Sequence, residues 1–600
     1  MPPRRACDLC YKRKIQCSIK TPGEPCEWCG SQGLTCTFDR VIPKDPKKRS
    51  TADIVEELSH RVEELEGALR ASNSNGTSPR SATTPGPPPG RREIILPVGV
   101  ATNRIAPTHK LSRCQLGNNW YFKGIGILSP RGHDWISYGS GEAVFLDKFD
   151  LFRNPPIRKP LPILPPQPRS LPSEIRYYAD VFLGSKAAMV FPILGTTLLE
   201  NTIQRAHSNE HPAAEACLWA MLAVVSISSD TRQSAQDCAH QAKYLLNLHD
   251  DVCDIDSLQG TLLLWAFQKM KGQCREASVT FASASRMVCD LGGHAPLKSL
   301  NILPQHIPAF DEATRTHIRK LFWLCYCFDK DASLRTGRPP LLSYEYCDIG
   351  DPSELRDQKS WHKQPRDIYL AVIKERANRL LCSPRAFQQT EGELLAHVRQ
   401  LDDELEEWRL SIEPPYRPRL SIPPDSSLSV PSAMRAEDRT HIINLQLDYL
   451  FTMIHIHTMV RKCGDLEQNL PDDLHSAVES SADLSLEAGR SIFRFFDTII
   501  GFWQQESMWI VSHYAPMAAM PLFVNMLIHP LGHPADNDLQ ILGSIGEISR
   551  KIPTDKLSAE EIQHIQEIGD FIMELIRLCH GAAWKVKKGE RPHDLDLLDS

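Results

Sequence analysis

Cysteine occurs at positions 7, 10, 17, 26, 29 and 36, spaced C-x2-C-x6-C-x8-C-x2-C-x6-C. The same C-x2-C-x6-C unit is written twice. Two C-x2-C pairs in so short a segment read as metal sites. A doubled unit implies two metals held with approximate two-fold symmetry. Two tetrahedral zinc ions need eight ligand positions, and six thiolates fill eight only if two of them bridge both metals. No histidine lies in the segment, so the arithmetic points to a Zn2Cys6 cluster. A disulfide-rich secreted module would use cysteine as densely. MPPRRACDLC has no apolar leader core, however, which argues against secretion.

Residues 4–40, RRACDLCYKRKIQCSIKTPGEPCEWCGSQGLTCTFDR, resemble the binuclear zinc-cluster DNA-binding domain of fungal transcription factors. The resemblance implies that Cys7 and Cys26 bridge the two ions. Cys10 and Cys17 would complete one site, and Cys29 and Cys36 the other. Between Cys10 and Cys17 lie Lys12, Arg13, Lys14 and Gln16. In related domains this short helix end enters the major groove over a CGG triplet. A basic side chain there can donate to guanine O6 and N7. The motif position makes Lys14 the candidate base reader and Arg13 the position whose backbone faces cytosine, with Lys20 as a further DNA-facing cation. The family usually carries another basic residue where this chain has Gln16, which relaxes the expected triplet preference.

Residues 1–50 hold 11 Lys or Arg against 5 Asp or Glu, while the whole chain is −6, leaving −12 on residues 51–600. With thiolates and zinc counted, the module keeps roughly +4. Phosphate-seeking charge is thus concentrated in one small segment. Such a basic run also serves nuclear import, and a zinc module that docks protein rather than DNA would carry a similar patch. That alternative describes a transcriptional cofactor.

In residues 51–70, TADIVEELSHRVEELEGALR, Val55, Leu58, Val62, Leu65 and Leu69 fall at a and d of successive heptads. The expected element is a short coiled-coil helix over 53–70, pairing two chains weakly because so short a seam is marginal alone. An amphipathic helix packed on the chain's own body shows the same period. Residues 43–52 act as the linker that sets half-site spacing.

Residues 71–93 are rich in Ser, Thr, Gly and Pro with no apolar period, which predicts a disordered linker. A second linker, 154–173, is proline-rich, with eight prolines between 154 and 172. Between them, in a segment spanning 94–153, Trp120, Phe122, Ile125, Ile127, Trp135 and Ile136 predict a small apolar patch. This stretch and Cys26-Glu27-Trp28-Cys29 resemble a subset of fungal zinc-cluster regulators of sugar and polysaccharide use.

From 174 to 585 apolar residues recur at three- and four-residue steps, as in LWAMLAVVSI, TLLLWAFQKM and NLQLDYLFTMIHI. This predicts a mainly α chain whose bulk is one large all-helical domain. The piece 319–342, RKLFWLCYCFDKDASLRTGRPPLL, resembles the hallmark of the fungal-specific transcription factor domain, the middle homology region, through Arg319, Trp323, Tyr326, Asp329, Ser333, Gly337, Arg338 and Pro339. FPILGTTLLENTI, SASRMVCDLGGH and SHYAPMAAMPLFVNMLIHP resemble it more weakly. Gly337 permits a turn after a helix and Pro339 blocks continuation, so the motif reads mainly as a helix–loop corner, with a pairing of Asp329 and Arg338 across it. The resemblance also implies a small-molecule inducer for this domain.

No P-loop, dinucleotide fingerprint, nucleophile elbow or H-E-x-x-H occurs, so an enzyme is not expected. His455 and His457 stand two apart on a helix and project to different faces, reading as core rather than metal ligands. MAAMPLFVNMLI is too short an apolar run for a membrane span. The tail 586–600 ends in alternating acid and leucine, Asp594 to Asp599, which fits an acidic-hydrophobic segment that docks on coactivators. The expected protein is a nuclear, sequence-specific activator on double-stranded DNA, recognising CGG-like half-sites as a homodimer.

Overall fold

The computed structural model describes residues 7, 17–18, 25–31, 35–37, 116, 120–145, 170–207, 211–228, 234–248, 253–295, 310–347, 366–423, 434–463, 472–503, 507–532, 534–555 and 557–589. The chain divides into two units, Met1–Arg104 and Ile105–Ser600. In the first, one short helix is described, α1 (Glu27–Ser31). The expected coiled-coil helix at 53–70 and the linker at 71–93 lie outside the described residues, as does the tail from 590 onward.

The second unit opens with a two-residue hairpin, β1 (Tyr121–Phe122) and β2 (Ile125–Gly126), then α2 (Pro130–Ser140). Among the described residues, every regular element after it is a helix. The order is α3 (Ile175–Leu183), α4 (Lys186–Val190), α5 (Thr196–His207), α6 (Pro212–Ser228), α7 (Ala235–Leu248), α8 (Ile255–Met270) and α9 (Cys274–Asp290). Next come α10 (Glu312–Thr336), α11 (Ile368–Ala377), α12 (Glu391–Ser411), α13 (Ala436–Thr458) and α14 (Asp472–Trp503). The series ends with α15 (Ser507–Ile528), α16 (Ala535–Gly543), α17 (Ile545–Lys551) and α18 (Ala559–Lys587).

Local chemistry sets the ends of these helices. Asp311 caps α10 by accepting from the Thr314 N–H at 2.8 Å, and Gly337 closes it in the left-handed region at φ 66°. Thr390 with Glu393 and Ser558 with Glu561 form reciprocal capping boxes at α12 and α18. Glu561 is also ion-paired with Lys271 at 2.6 Å, tying the start of α18 to the end of α8.

One apolar core runs from Leu116 to Ala582. Helices α8 and α15 are buried nearly all round, which is how a helix without a polar face is accommodated. Helix α15 continues N-terminal of the apolar run through Ser512 and His513 to Ser507, giving 22 residues, long and apolar enough to cross a bilayer. Counting only uninterrupted apolar residues missed that length. Its surface is almost wholly covered by other helices, the mark of a core helix.

The aromatic patch near residue 120 is part of this same core. Trp120, Ile127 and Ile136 are buried in it, and Phe122 stacks on Trp135 at 4.6 Å. Helix α2 lies against α18, where Gly581 permits the approach: a Cβ there would stand 2.6 Å from the Ser140 carbonyl oxygen. Arg577 pairs with Glu142 at 2.8 Å, and Lys585 donates to the Tyr138 carbonyl at 2.6 Å.

Candidate metal centre

The Sγ atoms of Cys7, Cys26, Cys29 and Cys36 all lie within 4.8 Å of one another. Cys7 Sγ stands 3.8 Å from that of Cys26 and 3.7 Å from that of Cys29. These separations are far beyond a disulfide bond. They match the edge of a thiolate tetrahedron, since a Zn–S bond of ~2.3 Å places its sulfurs about 3.8 Å apart. Cys7, Cys26 and Cys29 are fully buried among one another. Burial and the two neighbouring thiols push the free Cys29 thiol up to about 12, so a compact group of thiolates here requires a cation. The donor set therefore fits zinc.

The backbone repeats the symmetry of the sequence. The Cys7 N–H donates to Cys17 Sγ, and the Cys26 N–H donates to Cys36 Sγ, both at 3.4 Å. In each C-x2-C-x6-C unit the first residue thus holds the sulfur of the third. Cys26 also sits at the head of α1, where its Sγ accepts from the Cys29 N–H at 3.4 Å. Cys10, Lys12, Arg13, Lys14, Gln16 and Lys20 lie outside the described residues, as do Val55, Leu58, Val62, Leu65 and Leu69.

In the second unit, the motif at 319–342 builds the corner its glycine and proline foretell, with one change. The Asp329 carboxylate accepts from the Leu341 and Leu342 N–H groups at 2.9 and 3.0 Å, and from Lys330 at 2.9 Å. Among the described residues Asp329 makes no pair with Arg338, because the backbone N–H groups of the returning loop take both of its oxygens. Lys330, fully buried, also lies 3.2 Å from Glu375, which accepts the Tyr326 hydroxyl at 2.6 Å. Arg319 donates to the carbonyls of Gly293 and Ala295 at 3.0 and 3.3 Å and lies over the Trp323 ring.

His457 uses both ring nitrogens on protein partners, Ser481 at 2.8 Å and Asp402 at 3.1 Å, and His455 Nδ1 lies 2.9 Å from the Phe451 carbonyl. Both are core histidines. Burial lowers His455 to about 4.

A buried charge network was missed from the sequence. Arg366 is ion-paired with Asp331 and, at 2.7 Å, with Asp448; Lys374 pairs with the same two carboxylates at 2.5 and 3.4 Å. The available signal was a charged run, Asp329-Lys330-Asp331, inside an apolar helix.

Comparison with known proteins agrees with both halves of this picture. The fungal Zn(2)-Cys(6) binuclear cluster domain matches residues 5–45, and the fungal specific transcription factor domain matches residues 185–410. An ABC-transporter-regulating transcription factor of Aspergillus oryzae is 23% identical over 94% of this chain and 72% of its own length. Its namesake in Aspergillus fumigatus is 22% identical over the same shares, and an uncharacterised transcriptional regulatory protein of Schizosaccharomyces pombe is 22% identical over 90% of this chain and 72% of its own. No solved structure matches the chain. With a cysteine group suited to zinc in one unit and the helices of the other, the chain carries the fungal Zn(2)-Cys(6) binuclear cluster domain and the fungal specific transcription factor domain, and the families and relatives it matches are transcription factors rather than enzymes.

Proposed function

We propose that this protein is a nuclear activator that binds CGG-like half-sites in duplex DNA as a homodimer through two structural zinc ions. The observation that carries the reading is the thiol group around Cys7 and Cys26, with sulfur separations of tetrahedral size repeated by the backbone in each unit. Cys7 and Cys26 bridge; Cys10 and Cys17 complete one ion's shell, Cys29 and Cys36 the other's. Lys14 reads the guanines, with Lys12, Arg13, Gln16 and Lys20 along the DNA. The helix at 53–70 pairs two chains, and the helical unit regulates output through an inducer and coactivators.

Duplex binding by the zinc-loaded full chain tests this. Lys14→Ala should weaken binding to a CGG-bearing duplex by ~1–3 kcal/mol and blunt the preference over a scrambled duplex. A loss no larger than that of Lys20→Ala would remove the assignment. Absence of any sequence preference, with a zinc-dependent protein partner instead, would favour the cofactor reading. Two relatives carry names as regulators of ABC transporters, which makes transporter genes a target class beside carbohydrate-use genes. Genome-wide occupancy with transcript changes in a deletion strain separates the two.

A further inference from the structure

Where α18 passes α2, the surface of the helical unit is a ridge of open aromatic rings. Trp584 is 60% exposed, Phe145 53% and Tyr138 42%. Each ring carries a cation of α18. Lys588 Nζ lies 3.5 Å from the centre of the Trp584 ring, Lys585 Nζ 4.3 Å from that of Tyr138, and the Arg577 guanidinium 4.7 Å from that of Phe145. Arg577, Trp584 and Lys588 follow at seven- and four-residue steps and so share one face of the helix. Arg577 is already paired with Glu142 and Glu574. Lys585, Lys587 and Lys588 make no ion pair among the described residues, and residues 584–588 include no acid. The ridge is therefore apolar in its middle and positive at the end of α18, a combination that marks an interaction surface.

The chain itself supplies a segment of matching chemistry. Residues 590–600 hold Glu590, Asp594, Asp596 and Asp599 against one arginine, with Leu595, Leu597 and Leu598 among them. In extended form Leu595 and Leu597 fall on one face, and Asp594 and Asp596 on the other. The segment begins at the positive end of the ridge. Gly589, at φ 80°, donates its N–H to the Val586 carbonyl at 3.0 Å. A left-handed residue just past a helix turns the chain off the helix axis, and Pro592 opposes resumption of the helix. Length suffices as well. Lys588 and Arg577 are ~16 Å apart along α18, whereas the segment fully extended spans about 36 Å. The proline-rich stretch 154–173 fits the ridge less well, because Arg158, Lys159 and Arg169 repeat its sign.

We propose that the ridge formed by Tyr138, Trp584 and the lysines of the last turn of α18 is a docking surface for residues 590–600 of the same chain. Leu595 and Leu597 lie over the two rings, and the aspartates stand beside Lys585, Lys587 and Lys588. Tethering at Gly589 gives the segment an effective concentration of millimolar order, so a contact with an affinity of only ~0.1 mM is mostly closed. This goes beyond the DNA-binding reading and does not depend on it.

The test uses a fluorescein-labelled peptide of residues 590–600, titrated with two zinc-loaded proteins, the full chain and a chain ending at Gly589, and read by anisotropy. The shortened chain should bind the peptide saturably, and more weakly as salt is raised. The full chain should bind it about tenfold more weakly or less, because its own segment holds the ridge. Within the shortened chain, Trp584→Ser and Lys588→Glu should each cut affinity about tenfold; both positions are exposed, so either variant keeps the core intact. No binding by the shortened chain, equal binding by the two chains, or unchanged affinity in both variants would each overturn the proposal. Tighter binding of a labelled 154–173 peptide would assign the ridge to the proline-rich stretch instead. A full-chain dimer in sedimentation that Trp584→Ser converts to monomer would assign it to a second copy.

Discussion

Asp331→Asn is the sharpest perturbation of the helical unit. Asp331 faces two buried cations, Arg366 and Lys374, which among the described residues share one other carboxylate, Asp448. All four side chains are nearly excluded from solvent. Removing one carboxylate leaves two cations and a single anion in a region already rich in positive charge. Breaking a buried pair in this way costs ~3–5 kcal/mol, because an uncompensated charge stays behind. A unit of roughly 500 residues unfolds with an entropy of about 1 kcal/mol/K, so the midpoint should fall by ~3–5 °C. Differential scanning calorimetry of the full chain at pH 7.5 reads this directly. Neutralising one cation as well, in Asp331→Asn with Lys374→Met, restores a balanced Arg366–Asp448 pair and should recover more than half of the loss. A midpoint within 1 °C of wild type for Asp331→Asn, or a double variant as unstable as the sum of its singles, would refute the account of a charge-balanced network.

Three further outcomes are expected. His455 stays neutral in the fold, with its value lowered to about 4 by burial, so below pH 6.5 the unfolded chain takes up a proton that the folded chain refuses; stability should therefore fall as pH drops from 6.5 toward 4, by up to about 3 kcal/mol from this residue, and denaturant titrations should show a flatter profile for His455→Gln. Gly581→Val places a side chain on the Ser140 carbonyl and against Glu142, which should cost ~1–3 kcal/mol and expose the hairpin segment to earlier tryptic cleavage at Lys123 and Arg131; an unchanged cleavage pattern would count against the tight α2–α18 contact. Chelation of zinc should abolish duplex binding while leaving most of the far-ultraviolet helical signal, since metal binding supplies folding energy to the cysteine module only; a parallel collapse of the helical signal would contradict that independence.

Elements that depend on near neighbours were legible in the chain. Cysteine spacing states the doubled unit, and the structure brings Cys7, Cys26, Cys29 and Cys36 together with Cys17 held by the Cys7 N–H. Three- and four-residue apolar steps state the helices, and Gly337 with Pro339 states the corner after α10. The length of α15 was not legible, because Ser512 and His513 interrupt the apolar run while the helix continues through them.

The sequence alone determined the metal chemistry, the helical class and the places where helices stop, since spacing, period and backbone sterics act over a few residues. Tertiary structure alone decided which charges meet. Asp331 reaches Arg366 and Lys374, Lys271 reaches Glu561, and Asp329 holds Leu341 and Leu342 rather than Arg338. It also decided that the segment around Trp120 joins the main core, against α18 and near His455. Ion pairs and close helix contacts across such separations carry no periodic signature. They exist only once packing has brought the elements together, and burial then fixes which charges find partners.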